Sequence, residues 1–244
     1  MEHELWFTAI LNKVLGGPVD AMLNRLGAPA ANAAHPIPNY IAMELLAALV
    51  ILTVSLVLRR TLSVESPGTL QHAMESVVEF VGNMNEEVIG HGSERYLAMV
   101  GTLGIFILLC NIMGLIPTLG TPTGHVEVTL GCAVAVFIYY NYQAVRQHGV
   151  FGYLKHLWGP VLLMGFLMFP IEVFGNLFRM LSLSVRLYAN MFVGDVLESV
   201  FTGLIPVGIP AAFMALHLFV SALQAYIFML LPAVYISLST SSEH

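Results

Sequence analysis

The chain has 244 residues, of which 57% are hydrophobic and 10% charged, with a formal net charge of −6. A soluble domain is about half apolar and a quarter charged, so this apolar excess exceeds what one small core can hide, and lipid is the expected solvent. The negative charge is spread along the chain with no basic tract, which argues against nucleic acid as a partner.

In chain order, residues 1–37 are mixed and end in a stretch rich in Ala and Pro (Ala28 to Pro38), predicting a short amphipathic segment and then a loop. There is no basic region followed by an apolar run and a small-residue cleavage site, so no removable signal peptide is expected. The first clear span runs from Ile41 to Leu58, followed at once by Arg59 and Arg60. Residues 67–90 are too polar to span and predict a surface helix. Apolar runs follow at Tyr96–Ile116 and Val126–Tyr142, joined by a loop carrying Pro117, Gly120, Pro122 and Gly124. Two longer apolar stretches, Val161–Phe201 and Ala211–Leu238, complete the chain. Cys110 and Cys132 lie in apolar runs, read as small buried hydrophobes, and imply neither a disulfide framework nor a metal site.

The expected fold is an all-α integral membrane protein without internal repeat or soluble domain. It has five membrane helices and a surface amphipathic helix, at about 41–60, 67–90 (surface), 95–117, 126–146, 161–202 and 208–240. Five spans place Arg59, Arg60, Arg95, Arg146 and Lys155 on one side and Lys13 and Arg25 on the other. The positive-inside rule then puts the N-terminal segment, residues 1–38, outside and the C-terminus in the cytoplasm. No proline interrupts Ile171–Thr202. A continuous helix of about 32 residues is roughly 48 Å long, against a hydrocarbon core of about 30 Å. Staying in lipid requires a strong tilt and a protein partner to pack against. A break near Gly194, giving two helices, is the alternative.

Charges inside these stretches mark the candidate site. Arg186 sits mid-helix among apolar residues, where an arginine costs about 2.5–3.5 kcal/mol and function is the default reading. Glu172, Arg179 and Arg186 are seven residues apart. They therefore drift only about 20° per step, and Asn176, Ser182 and Asn190 lie near the same stripe. Asp195, nine residues beyond Arg186, points to the opposite side and is expected to face the last helix. Counting from the turn between the last two helices, Asp195 and His217 lie at one depth, about 10 Å below the outer surface. Arg186 and Gln224 are level near the middle. His217, Ser221 and Gln224 share one face. Two polar clusters follow: an outer one of Asp195 and His217, and an inner one of Glu172, Asn176 and Ser182, with Arg186 between them. Glu198 is expected at the outer headgroups. Glu44, near the outer end of the first helix, fits an interfacial or a functional place. Arg179 is assigned no firm role; neutralising Glu172 and snorkelling to the cytoplasm both fit.

Four motifs give the chain a family resemblance. The run Leu183-Ser184-Val185-Arg186-Leu187-Tyr188-Ala189-Asn190-Met191-Phe192-Val193-Gly194-Asp195 resembles the arginine signature of subunit a of F-type ATP synthases. Asn111-Ile112-Met113-Gly114-Leu115-Ile116-Pro117 resembles that family's mid-chain motif, and Pro67, Gln71 and Glu75 fit its Pro-x-x-x-Gln-x-x-x-Glu stretch. Leu223-Gln224-Ala225-Tyr226-Ile227-Phe228 resembles its last-helix motif. The motifs occur in order over about residues 40–240. One departure is Asp195, where many bacterial members carry Glu, so the carboxylate is one methylene shorter.

The resemblance implies a proton channel subunit, not catalytic alone, in a bacterial inner membrane, with a ring of c subunits, the b subunits of the peripheral stalk and lipid as partners and no cofactor. It implies that Arg186 meets the ring carboxylates and that Asp195 and His217 relay protons in an outer half-channel. Glu172, Asn176 and Ser182 would line an inner one, while Asn190 and Gln224 position Arg186 and water. Whether the ion is H⁺ or Na⁺ depends on the ring. Two other classes compete. A secondary transporter would use the buried charges to bind a solute, but such folds often carry internal repeats and broken helices. An intramembrane hydrolase would need Ser182 or Ser184 within reach of His217 and Asp195, yet Ser182 is about 20 Å along the helix from Asp195.

Overall fold

The computed structural model describes residues 5–25, 27, 35–63, 67–116, 119–158, 162–204 and 208–240. Seven α-helices carry nearly all of them: α1 (Trp6–Arg25), α2 (Asn39–Thr61), α3 (Thr69–Ile89), α4 (Glu94–Gly114), α5 (Val126–Trp158), α6 (Leu162–Leu204) and α7 (Ile209–Thr240). The fold is all-helical. Four helical stretches are long and apolar enough to cross a membrane: Asn39–Thr61, Glu94–Gly114, Val126–Val150 and Ala211–Thr240. Among the described residues, the remaining expected span, α6 (fourth in chain order), does not meet that measure. It has 43 residues, but Glu172, Arg179, Arg186, Asp195 and Glu198 dilute its apolar character.

The N-terminal segment differs from the sequence reading. A 20-residue helix stands where a short amphipathic piece was expected, and it runs through Pro18. Tertiary contact explains it. The Asn12 amide donates to the Ile37 carbonyl at 3.1 Å and its carbonyl accepts from the Ile37 N–H at 3.0 Å, tying α1 to the start of α2. Most of the expected 28–38 loop, and Pro117, lie outside the described residues.

Local chemistry sets the other boundaries. α2 closes on Arg59 and Arg60, whose charges suit a helix C-terminus. The α2–α3 connection is held by Gln71, which accepts from the Ser63 N–H at 3.1 Å and donates to the Ser63 carbonyl at 3.0 Å and to Glu75 at 2.8 Å. That gives the Gln and Glu of the motif beginning at Pro67 a structural task. α4 buries Tyr96, Val100, Gly104, Ile107 and Cys110 along one stripe. Gly104 has no room for a Cβ because Met229 of α7 lies directly against it. α5 runs straight to Gly149, where φ of +71° breaks the helix before a last short stretch.

The core joins α3 to α7, with Val81, Tyr96, Ile107, Val136, Leu183, Leu187 and Phe228 at its centre. α7 packs against α3, α4, α5 and α6, and α5 lies along α6. α6 continues without interruption through Gly194, as one rod about 64 Å long. That is more than twice the hydrocarbon thickness of about 30 Å.

Candidate functional site

α6 and α7 run back along each other, and side-chain contacts step down their seam. His217 Nε2 lies 3.4 Å from the Met191 sulfur. The Asn190 amide donates to Gln224 Oε1 at 3.0 Å. The Arg179 guanidinium sits 5.6 Å from the Tyr235 ring centroid. Gln224 is thus one helical turn from the level of Arg186. Asn190 and Gln224 bond to each other, and neither bonds to Arg186.

Arg186 is exposed at the surface of the chain, on a face shared with exposed Phe178 (64%), Val185 (58%) and Val193 (51%). Among the described residues it has neither a hydrogen-bond nor an ion-pair partner. Exposed Ser182 and Asn190 flank it on the same face. The helix core lies opposite, at Leu183, Leu187 and Met191, and that packing fixes the rotation of α6 and turns the guanidinium outward.

Asp195 is half-buried. Its hydrogen bond goes to the connection between α4 and α5, and His217 of α7 lies near enough to act on its charge. Its Oδ1 accepts from the Thr121 hydroxyl at 3.1 Å, and Gly124 brings backbone so near that a Cβ there would stand 3.3 Å from Oδ2. Gly194 is the residue that faces α7. A Cβ on it would lie 2.8 Å from His217 Cε1. Each helical residue turns about 100°, so Gly194 and Asp195 address different neighbours. His217 is buried, Nδ1 has no partner, and no hydrogen bond joins it to Asp195. The outer pair shares a neighbourhood without direct contact.

Three polar residues that the sequence reading placed only in a loop complete this region. Pro122–Gly124 forms a 3-10 turn, anchored where the Thr123 hydroxyl donates to Asn111 Oδ1 at 2.7 Å. The turn presents Thr121 and His125 to Asp195. His125 stacks on the Tyr40 ring of α2 at 4.4 Å. Asp195, Thr121, His125, Tyr40, Asn39 and Ser199 line an open cavity of about 590 Å³. The only sequence signal for it was a Thr-Pro-Thr-Gly-His run where a purely apolar hairpin would suffice.

On α7, three buried atoms lack partners: His217 Nδ1, Ser221 Oγ and Gln224 Nε2. They lie on the expected common face. Buried polar groups are normally satisfied, and ordered water is the usual partner when protein offers none. At the other end of α6, Arg179 donates to Asn176 Oδ1 at 3.2 Å, and Glu172 and Asn176 are half-buried. No ion pair joins Arg179 to Glu172, so its contacts are Asn176 and the Tyr235 face. Burial and the Glu172 carboxylate push the Tyr153 phenol up, while Arg179 opposes them, so these groups share one electrostatic neighbourhood. The hydrolase constellation does not form: Ser184 is buried against the Thr129 hydroxyl at 3.2 Å, and Ser182 is exposed on the outer face.

Gly194 permits a specific prediction. Alanine favours a helix over glycine by about 1 kcal/mol, so Gly194→Ala leaves α6 helical. Its methyl must displace the His217 ring. The detergent-purified chain carrying Gly194→Ala is expected to unfold at a lower temperature, and an unchanged midpoint would show that the ring moves aside freely.

Residues 41–237 match the family described as ATP synthase A chain. A protein of Koribacter versatilis called ATP synthase subunit a is 47% identical over 244 residues, covering all of both chains. Its counterpart in Solibacter usitatus is 43% identical over 235 residues, 96% of this chain and all of that one. One from Nitratiruptor sp. is 40% identical over 199 residues, covering 81% of this chain and 88% of that one. With family and full-length relatives in agreement over the segment that holds Arg186, Asp195, His217 and Gln224, this chain belongs to the ATP synthase A chain family.

Proposed function

We propose that the chain is the proton-translocating subunit of a bacterial F-type ATP synthase, not catalytic by itself. It lies in the inner membrane beside a rotating ring of c subunits and is held by the b subunits. α6 is also a membrane helix, the fourth of five in chain order, the N-terminus is outside and the C-terminus is in the cytoplasm. The supporting observation is Arg186, a guanidinium without a partner among the described residues, on an exposed face where only Ser182 and Asn190 interrupt apolar side chains. In lipid such a charge requires a counter-charge; none pairs with it among the described residues, and another polypeptide supplies it.

The mechanism follows from charge and depth. Protons enter through the cavity at Asp195, Thr121 and His125. Asp195 and His217 pass them on, with water bridging the unpartnered atoms of His217, Ser221 and Gln224. A ring carboxylate that takes a proton becomes neutral and can turn into lipid, where a charged group is too costly. After nearly a full turn it reaches the path lined by Glu172, Asn176 and Ser182 and releases the proton to the cytoplasm. Arg186 separates the two paths. A guanidinium is a permanent cation, so it favours the ionised ring carboxylate and cannot itself carry a proton across. Each charge crossing 100 mV yields about 2.3 kcal/mol, so a leak between the paths would waste the driving force.

Disulfide trapping tests this. Cysteine placed at Ser182 or Val193, on the Arg186 face, should crosslink to a cysteine on the outer helix of the c ring, whereas cysteine at buried Leu187 should not. Equal yields from both faces would remove the ring from the reading.

A further inference from the structure

A second charged feature lies far from Asp195 and takes no part in the proton path. Arg95, Gln143, Arg146 and Gln147 line one cavity of about 310 Å³. Among the described residues lining it, none is acidic. Glu94, next to Arg95, faces the apolar groove between α2, α3 and α4 instead. Arg95 is steadied by its Nε donating to the Gly92 carbonyl at 3.0 Å and by the Tyr96 ring 5.2 Å away. Arg146 has no hydrogen-bond or ion-pair partner among the described residues. Gln147 donates to the Thr240 carbonyl at 2.9 Å, which brings the end of α7 to the same place. Two like charges lining one open cavity repel each other, and an anion between them relieves that repulsion.

Depth says where that anion comes from. Arg95 is 19 residues before the end of α4 at Gly114, and Arg146 is 20 residues after the start of α5 at Val126. At 1.5 Å per residue these are about 29 and 30 Å, one hydrocarbon thickness from the Thr121–His125 connection. Both arginines therefore stand at the membrane–water boundary on the face opposite that connection, the level of lipid phosphates. Paired guanidiniums suit phosphate oxygens through bidentate hydrogen bonds, and the glutamine amides add neutral donors.

We infer that Arg95 and Arg146, with Gln143 and Gln147, form a binding site for a phosphate group, carried either by an anionic phospholipid or by free phosphate. Of the proposed function it uses only the membrane placement of the spans, and it is independent of Arg186.

The whole ATP synthase complex, reconstituted in phosphatidylcholine nanodiscs, is exposed to phosphatidylglycerol bearing a photoreactive group close to its phosphate. Crosslinked peptides are then mapped by mass spectrometry. Labelling is expected on the peptides containing Arg95 and Arg146. Each surface cation contributes about 1 kcal/mol to anionic-lipid attraction, so Arg95→Gln/Arg146→Gln should lower labelling roughly 10- to 30-fold. Arg95→Lys/Arg146→Lys should keep much of it, and gel analysis of the complex verifies assembly of both variants. Competition by unlabelled phosphatidylglycerol but not by millimolar inorganic phosphate identifies a lipid as the source. Competition by both supports the same site filled by the free ion. Equal labelling by the matching phosphatidylcholine probe, or labelling undiminished in the double glutamine variant, overturns the proposal.

Discussion

Arg186→Ala should abolish both ATP synthesis driven by a proton gradient and proton pumping driven by ATP, while the complex still assembles. The size of the effect follows from what the side chain supplies. Two opposite charges about 4 Å apart gain roughly 4 kcal/mol at an effective dielectric constant of 20, close to a thousandfold in rate if the attraction acts in the rate-limiting step. Failure to insert cannot explain such a loss, because removing a central arginine makes a membrane helix cheaper by about 2.5–3.5 kcal/mol. Nor does the change uncover a cavity, since Arg186 is on the exposed face of α6. Passive proton conductance should hold or rise, because the cation proposed to separate the two paths is gone. Arg186→Lys should also perform poorly, as an ammonium held away from water between subunit and lipid can lose its proton and lacks the planar fork. Dye-quenching assays on inverted vesicles, with and without ATP, read all three quantities. Normal ATP-driven pumping in Arg186→Ala would sink the assignment.

Asp195→Asn should have the second largest effect. Asparagine matches aspartate in shape, and its carbonyl can still accept from the Thr121 hydroxyl that now bonds Oδ1. Packing around the 590 Å³ cavity is therefore kept while the titratable group is lost. A positioned acid–base group contributes about 10²–10⁴-fold to proton transfer, and transport should fall within that range. Asp195→Glu restores a carboxylate with one more methylene and should recover a large part of the rate. The comparison separates chemistry from shape. Vesicles carrying Asp195→Asn that pump at the normal rate would show that protons do not pass through this carboxylate.

Much of this could be read from residue order alone, and the failures have a common cause. The spanning helices follow from run length and composition, which are local. So does the isolation of Arg186, because a charge inside an apolar stretch is visible without coordinates. The seven-residue spacing of Glu172, Arg179 and Arg186 placed them on one side of α6, and the depth count brought Gln224 within a turn of Arg186. What the sequence concealed lies between distant segments. Thr121 reaches Asp195 across 74 residues, and no periodicity announces such a contact. Gly194 meets the His217 ring directly, and about 100° of turn gives Asp195 its hydrogen bond to the α4–α5 connection, with His217 a nearby charge and not a bonded partner. α1 was underestimated because Gly16, Gly17 and Pro18 weaken local helix propensity, whereas Asn12 and Ile37 decide the matter through tertiary bonds. Arg179 took an aromatic face and an amide where a carboxylate was considered.

Both native cysteines, Cys110 and Cys132, are free and packed in the interior of the helix bundle. Maleimides and oxidants approaching from either aqueous side therefore meet no accessible native sulfhydryl. A single thiol introduced on the Arg186 face, or beside Arg146, becomes the sole accessible thiol of this subunit. Chemical labelling of the folded chain can proceed without first engineering a cysteine-free background, whose two core substitutions would themselves disturb the packing.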